Sequence, residues 1–446
     1  MIHLNTGLST FDATMNFILL ILVSYPILGA FCWFIGVICY QTIYGHKILN
    51  YEKFDPENEP FITIMIPAHN EEVMIEHTIN YLMNDLTYDN KNYEILVTDD
   101  GSTDKTPEIL DRLMKKYENL RVVHFEKNQG KAHAFNVGVA FAHGEFILSN
   151  DADSIPEPDA LWKYMNYFNG EEGQNVAAVT ANMDVQNRSK IITKSQTVEF
   201  SSIVGVIKRG QIAALGNMYA YSGANTMYRR DALIDVGLFR QDRATEDISI
   251  AWDHQIGGWS TIFAPNIMFY MNVPDDLQSL YNQRKRWAKG GTEVWLTNFM
   301  KIITHPVKYN RQLVFLLDQS LSILWSFFYF ITTILFLITA VRFIFLGNDE
   351  RLFHMFAMAF IFVAFEMFAG LLQLLSALIV DDRGRKLKYL FFMPIYMIVY
   401  WQVNALALVM TFIPAIKTIM GYGHGTWVSP VRNVDMENIE EEKTQN

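Results

Sequence analysis

Acidic residues at the ends of apolar runs are the first chemistry this chain offers. Asp151 and Asp153 close the run EFILSNDAD. Two residues apart at a strand end, both carboxylates can point the same way. A carboxylate pair beside an open site suits a hard divalent cation, Mg2+ or Mn2+, shared with substrate phosphates. The plainer alternative is a turn, because Asx residues often follow strands. Asp100 stands before Gly101-Ser102. It can accept hydrogen bonds from a nucleobase imide or a ribose, and Gly101 lets a ligand come close to the backbone; the same residues also read as a helix-capping loop. Asp99 and Asp100 are adjacent, and their repulsion predicts that one is hydrogen-bonded or near a cation. Thr245-Glu246-Asp247 precedes ISIAWDHQ. There Asp247 can act as general base on a hydroxyl, or Thr245 or Asp247 can cap a helix; local sequence leaves both open. Gln283, Arg286 and Trp287 recur at i, i+3, i+4 and share one helix face. Arg can fork onto a pyrophosphate, and Trp offers an apolar plate to a sugar ring. The basic run Arg284, Lys285, Arg286, Lys289 equally fits a helix lying on a membrane surface.

Alternating elements must hold these residues together. FITIMIP (61–67), YEILVTD (93–99), RVVHFE (121–126), EFILSND (145–151) and VAAVTAN (176–182) read as buried strands. Helical periodicity fills 71–84, 106–118 and 130–142 between the first four. Thr103 or Asp104 can cap the second helix, with Pro107 in its first turn. This alternation predicts an α/β domain with a mainly parallel sheet covered on both faces. Ligands then bind beyond the carboxyl ends of the strands, which is where the acids cluster. No GxGxxG follows a strand, and NQGKA (128–132) lacks the features of a phosphate-binding P-loop. Hydride transfer and P-loop nucleotide hydrolysis are therefore unsupported.

Composition places the domain beside a bilayer. Half of the 446 residues are hydrophobic, only 19% are charged, and the net charge of −11 excludes a generally basic nucleic-acid coat. The acidic tail 435–446 carries part of that charge. Cys32 and Cys39 lie roughly 10 Å apart along a helix, too far to bridge, so neither a disulfide framework nor a cysteine zinc site is available. Residues 17–44 contain no charge and are long enough to span, with Pro26 as an expected kink. Residues 321–346, 352–380 and 389–416 are the other expected spans, the last either one span or a hairpin broken at Pro394 and Pro414. The lead-in VFLLDQSLS, with Asp318, reads as interfacial. The loop DDRGRKLK, holding Arg383, Arg385, Lys386 and Lys388, belongs on the cytosolic side. That puts GNDER outside and the acid-bearing domain inside. The expected organisation is a transmembrane helix in 1–45, a cytosolic domain in 46–290, interfacial helices in 291–320, about three spans in 321–420 and a terminal segment in 421–446. Glu366 falls inside a span, as a functional group or a structural one.

Seven motifs in order, PAHNE (67–71), DDGSTD (99–104), GKAHAFNVG (130–138), DAD (151–153), SGANTMYRRDAL (222–233), TED (245–247) and QRKRW (283–287), resemble the processive membrane glycosyltransferases of the family-2 type. The group includes cellulose, hyaluronan and poly-N-acetylglucosamine synthases. QTVEFSSIVGVIKRGQ (196–211), TEDISIAW (245–252), RWAKGGTEVWL (286–296) and GYGHGTWVSP (421–430) bring the likeness closest to the bacterial poly-β-1,6-N-acetylglucosamine synthases. The resemblance implies a Rossmann-like GT-A fold and a UDP-sugar donor, UDP-N-acetylglucosamine above others. It implies that Pro67, Ala68, Glu71, Asp100, Lys131, Asp151 and Arg286 bind the nucleotide-sugar. Asp151 and Asp153 would hold Mg2+ or Mn2+, and Asp247 would be the base. Ser222, Gly223, Glu246, Gln283 and Trp287 would face the nascent polysaccharide. His69 stands where Tyr is frequent and Phe135 where Leu is frequent; neither removes a charge the chemistry needs. Similar synthases often work with a small membrane accessory subunit, and the lipid bilayer is itself a partner. Trp325, Tyr329, Tyr400 and Trp401 are candidates for sugar contacts across the membrane, against an aromatic belt or ordinary packing. Two other readings stand beside this one: a single transfer to a polyprenyl phosphate, and a transporter or scaffold with a degenerate sugar-nucleotide domain.

Overall fold

The computed structural model describes residues 9–44 and 59–422. The 45/46 boundary, GHGTWVSP beyond Tyr422 and the acidic tail lie outside the described residues.

The alternating pattern folds as β1 (Ile62–Ala68), α2 (Ile75–Asn84), β2 (Tyr93–Asp99), α3 (Thr106–Met114), β3 (Leu120–His124), α4 (Lys131–Phe141) and β4 (Phe146–Ser149), after an apolar first helix α1 (Ser9–Tyr44). Then come β5 (Ile155–Pro156), α5 (Ala160–Phe168), α6 (Gly170–Gln174), β6 (Val176–Val185), α7 (Ile191–Phe200), α8 (Lys208–Leu215), β7 (Thr226–Arg229), α9 (Arg230–Asp235), α10 (Glu246–Gly257) and β8 (Ser260–Met271). The sheet order is β3-β2-β1-β4-β7-β6-β8-β5. β1 runs parallel to β2 and β4, β2 to β3, and β6 to β8; β7 enters antiparallel between β4 and β6, and β5 antiparallel on β8. The sheet is thus mixed but mostly parallel. β1, β2, β4 and β6 are buried along their whole length, which is why each reads as a continuous apolar run. One face packs on α2, α3 and α5, the other on α4, α9 and α10.

Parallel register gathers the strand ends. Ala68 stands opposite Asp99, and Met65 opposite Ser149, so the chain leaving β4 emerges beside Pro67. The second helix is not capped as its sequence implied: Lys105 occupies the cap position, while Asp104 Oδ1 accepts from Thr106 N–H at 2.9 Å and Oδ2 from Glu72 N–H at 3.1 Å, tying the first two loops together.

Helices α11 (Leu277–Thr304), α12 (Asn310–Phe345) and α13 (Asp349–Val380) follow. A 3-10 segment, Asp381–Phe392, leads through α14 (Met393–Ile395) and a wide turn at Tyr396–Tyr400 into α15 (Trp401–Ile419). Among the described residues, four helical stretches are long and apolar enough to cross a membrane: Phe17–Tyr44, Asn310–Phe345, Asp349–Val380 and Gly384–Ile419. The last is one run, so the hairpin alternative fails. Pro26 lies within an unbroken α1. Residues 313–320 are not a separate helix but the beginning of α12, where Asp318 Oδ1 accepts from Tyr25 Oη of α1 at 3.4 Å.

The ends of these helices meet the sheet domain on one side. Gly36 of α1 touches Gly210 of α8 so closely that a Cβ on it would lie 2.8 Å from the Gly210 Cα. Asp381, directly after α13, accepts from Asn182 Nδ2 at 2.7 Å and from Ser201 Oγ at 2.9 Å. Lys386 donates to Asp381 at 2.8 Å and pairs with Asp184 at 3.1 Å, and Asp184 also pairs with Arg188. Asp381 is 0% exposed and Lys386 2%. Part of the charged loop expected only to mark one side of the membrane is therefore buried in the domain.

The membrane aromatics divide. Trp325 and Tyr329 stack at 5.0 Å between ring centroids, and Trp325 Nε1 donates to Leu22 O of α1. Tyr400 is buried, its hydroxyl donating to Ile192 O at 2.8 Å, and Trp401 packs on Gly370. Tyr400 and Trp401 are thus packing residues. Glu366 is half-buried on α13.

Candidate active site

Beyond the carboxyl ends of β1, β4, β6 and β8, the start of α10 and the first half of α11 close around a cavity of about 480 Å3. Pro67, Glu71, Lys131, Asp151, Asp153, Ser222, Gly223, Glu246, Asp247, Gln283, Arg286 and Trp287 all line it. Ala68 and Asp100 do not. Ala68 is the fully buried last residue of β1. Asp100 Oδ1 accepts from Gln129 N–H at 2.9 Å and Oδ2 from Gly130 N–H at 2.8 Å, so its carboxylate clamps the loop that starts α4. Asp99 is held by His124 Nδ1 at 2.7 Å and by Ser102 N–H at 3.1 Å. Both adjacent acids are thus hydrogen-bonded. Gly101, at φ +67°, lies against Lys127 and Asn128 backbone atoms that a Cβ would overlap.

The DAD stretch is a built turn. Asn150 Nδ2 donates to Asp151 O and Ser154 O at 2.8 and 2.9 Å, and Thr78 Oγ1 donates to Ala152 O at 2.6 Å. Asp153 is buried, while the Asp151 side chain keeps about a third of its surface open. Lys131 turns inward from the start of α4. Its Nζ donates to Asp151 Oδ1 at 2.7 Å and Gly223 O at 3.2 Å, and lies 3.3 Å from Glu246 Oε1. Burial works against its charge, but Asp151 and Glu246 prevail and hold its pKa above the ordinary lysine value.

Thr245 takes the cap position of α10 but makes no side-chain capping bond. Asp247 accepts from Ile248 N–H at 2.9 Å through Oδ1 and from Gly223 N–H at 3.2 Å through Oδ2. Burial, and then the Glu246 charge, push its pKa up to about 6 against the pull of Lys131 and Arg286. Gly223 is closely surrounded: a Cβ would lie 3.1 Å from both Glu246 Oε1 and Lys131 Nζ. Gly290 of α11 presses on Thr245: a Cβ there would come within 1.9 Å of Thr245 Oγ1. The two helices that carry TED and QRKRW are therefore fixed to each other by a missing side chain.

On α11, Gln283, Arg286 and Trp287 face the cavity together, as their spacing requires. The basic run is not a uniform membrane-facing stripe. Arg284 is buried, donates to Glu199 Oε2 at 2.6 Å and lies 4.2 Å above the Trp287 ring; Lys289 pairs with Glu293 at 3.5 Å.

Sequence reasoning missed Glu199, Lys208, Asn272 and Gln319, which also line the cavity. Glu199 and Lys208 fall within the 196–211 stretch that carried part of the resemblance. Burial lowers the Lys208 pKa to about 8, although Asp247 pulls it upward. Asn272 follows a strand the sequence did not reveal, and no motif marks it. Among the described residues no three or more His, Cys, Asp or Glu side chains form a metal-binding group.

Residues 63–237 match the family model Glycosyl transferase family 2. A poly-beta-1,6-N-acetyl-D-glucosamine synthase of Staphylococcus epidermidis is 33% identical over 416 residues, 92% of this chain and 97% of that one. A synthase of the same name from Staphylococcus aureus strain COL is 32% identical over 415 residues, again 92% and 97%. Among solved structures, a mannosyltransferase from Pyrobaculum calidifontis in complex with GDP-Man and Mn2+ aligns with a TM-score of 0.52 at 18% identity, covering 90% of this chain and all of that one. That likeness is one of fold, and the fold is GT-A.

Proposed function

The chain belongs to glycosyl transferase family 2, in company with the poly-beta-1,6-N-acetyl-D-glucosamine synthases, and on that premise we propose that it adds N-acetylglucosamine from UDP-N-acetylglucosamine, one unit after another, to a β-linked polysaccharide at the cytosolic face of the plasma membrane and passes the chain outward. It is a β-glycan glycosyltransferase with helices long and apolar enough to cross a bilayer. The observation that carries the finer reading is the single cavity shared by Asp151, Asp153, Asp247, Gln283, Arg286 and Trp287.

In this reading, Asp247 takes the proton of the acceptor hydroxyl as that oxygen attacks the anomeric carbon. One displacement inverts an α-linked donor into a β-linked product. Its raised pKa makes Asp247 a better proton acceptor than an exposed aspartate. Arg286 faces the leaving diphosphate and neutralises charge as it develops there. Lys131 pairs with both Asp151 and Glu246 and offsets their mutual repulsion. Asp100 acts through the Gln129–Gly130 loop, which with Pro67–Glu71 shapes the nucleoside side. Ser222, Gly223, Gln283 and Trp287 receive the acceptor sugar, Trp287 through its ring face.

The donor type fits a hard cation: Asp153 and Asp151 would hold Mg2+ or Mn2+ through carboxylate oxygens on a turn fixed by Asn150 and Thr78. Held there, the ion supplies charge neutralisation on the diphosphate. A polar chain cannot cross hydrocarbon unassisted, which gives the helices beside the cavity their purpose.

Two expectations arise here. kcat/KM should rise about tenfold per pH unit below pH 6 and level off above about pH 7, because Asp247 must be ionised to accept a proton and becomes so as pH passes its pKa. A rate independent of pH from 5 to 8 would remove Asp247 as the base. Gly290→Ala should lower kcat about 10–100-fold while UDP affinity holds, because the added methyl displaces Thr245 and with it Asp247; isothermal titration and turnover on the same preparation check both. The reading itself is tested by offering the purified protein a panel of UDP-sugars with Mg2+ and measuring UDP release. UDP-N-acetylglucosamine should lead the panel, and preference for another sugar would overturn the donor assignment.

A further inference from the structure

Arg284 of α11 and Glu199 of α7 form an ion pair closed to solvent. Their side chains are 3% and 1% exposed, and Arg284 Nη2 donates to Glu199 Oε2 at 2.6 Å. The other guanidinium nitrogens, Nε and Nη1, are buried and have no acceptor among the described residues. What the guanidinium does meet is Trp287, whose ring centroid lies 4.2 Å from its carbon. Apolar packing surrounds the pair. Val198, beside Glu199, and Leu280, one turn before Arg284, belong to a buried cluster with Leu374 and Leu378 of α13 and Met393 of α14. Trp287 packs against the cluster that holds Phe200, the residue after Glu199.

A buried ion pair contributes little net stability, because desolvation of both charges offsets their attraction. This one is also sparingly hydrogen-bonded. What it enforces is geometry. Helix spacing puts Arg284 and Trp287 side by side, and Glu199 keeps the guanidinium, on its flexible stem, over the ring. A cation is drawn to the negative face of an indole, more strongly when both are out of water. Turning the ring about its side-chain bonds would cost that contact. Trp287 is half-buried and lines the cavity. With Arg284 on one face of the indole, the other face is the one left for a sugar.

We propose that Arg284 is a positioning residue: held by Glu199, it fixes the Trp287 ring so that the free face meets the terminal sugar of the acceptor. This rests on the proposed function, in which Trp287 receives that sugar. Arg284 itself does not line the cavity, so its effect passes through the ring. The consequence is selective. Acceptor binding depends on the Arg284–Glu199 pair, and donor loading at Asp151, Asp153 and Arg286 does not.

The test uses the full-length protein in detergent, as wild type, the double variant Arg284→Met, Glu199→Gln, the single variant Trp287→Ala, and all three replacements together. The double variant removes both charges, so neither is left buried without its partner. KM is measured on each protein for a short β-1,6-linked N-acetylglucosamine oligosaccharide and for UDP-N-acetylglucosamine. The double variant should raise KM for the oligosaccharide about tenfold and leave KM for the donor within about twofold of wild type. Added to Trp287→Ala, the same two replacements should change either KM by less than about twofold, because the ring through which they act is gone. Should the double variant fail to accumulate, Arg284→Lys keeps a charge for Glu199 but no planar group for the ring, and should raise the oligosaccharide KM about threefold. An oligosaccharide KM that stays at the wild-type value in the variant that accumulates overturns the assignment. So does a rise of equal size with and without Trp287, and so does an equal rise in both KM values, which would make the pair a part of the fold only. Trp287→Ala with the wild-type oligosaccharide KM, or a wild type that does not extend the oligosaccharide, overturns the functional reading first, and this inference with it.

Discussion

Asp247→Asn should lower turnover by about 10²–10⁴-fold and leave the affinity for UDP within about twofold of wild type. The substitution keeps the size of the side chain and removes its ability to take a proton. Asp247 is not among the residues expected to bind the nucleotide, so the variant should still load the donor. Two backbone donors, Gly223 N–H and Ile248 N–H, face the carboxylate. An asparagine oxygen can serve only one of them, so part of the loss will come from a shifted side chain. Glu246 separates the two effects: Glu246→Gln leaves the base in place and should cost far less. Radiolabel incorporation and UDP titration on one preparation decide it. Asp247→Asn within about fivefold of wild type would return the residue to the helix-start role its sequence also allowed.

Lys386→Met should destabilise the folded protein by about 3–5 kcal/mol, the range seen when one member of a buried ion network is removed. The lysine stands between Asp381 and Asp184, all three almost wholly buried. Asp184 keeps Arg188, but Asp381 is left with only Asn182 and Ser201 as neutral donors. The double variant Lys386→Met, Asp381→Asn should recover only part of the loss, because the stranded Asp381 charge is gone but buried Arg209 then loses the Asp381 carboxylate that favours its own charge. Thermal midpoints in detergent, read by intrinsic fluorescence, compare the three proteins. Equal midpoints for wild type and Lys386→Met would mean that the 381–386 segment is not docked on the sheet domain. The network joins the end of α13 to β6 and to Ser201, directly after α7.

How much the sequence revealed follows from how each element is buried. β1, β2, β4 and β6 are covered on both faces, and a run of apolar residues is unambiguous when it is that continuous. β8 has twelve residues but is interrupted by Pro265 and Asn266, where its pairing with β6 also slips between Ala181 and Asn182. β5 and β7 are too short to carry a period. Without β8 there was no strand end to point at Asn272. Residue type and spacing were enough to nominate Asp151, Asp153, Asp247 and the Gln283–Arg286–Trp287 face, because helix geometry alone brings i, i+3 and i+4 together. They could not show which polar atoms the fold itself would consume. Asp100 is the clearest case: its chemistry is legible, but the closing of its carboxylate by Gln129 and Gly130 depends on a loop thirty residues away. The same holds for Arg284, which sits in a basic run yet is paired inside with Glu199.

On the proposed function, this cavity builds a polymer rather than moving one sugar. Membranes carrying the protein, given labelled UDP-N-acetylglucosamine and Mg2+, should yield label in a high-mass product by size-exclusion chromatography, and membranes carrying Asp247→Asn should yield almost none. Label found only in an organic-soluble lipid-linked monosaccharide would contradict the claim.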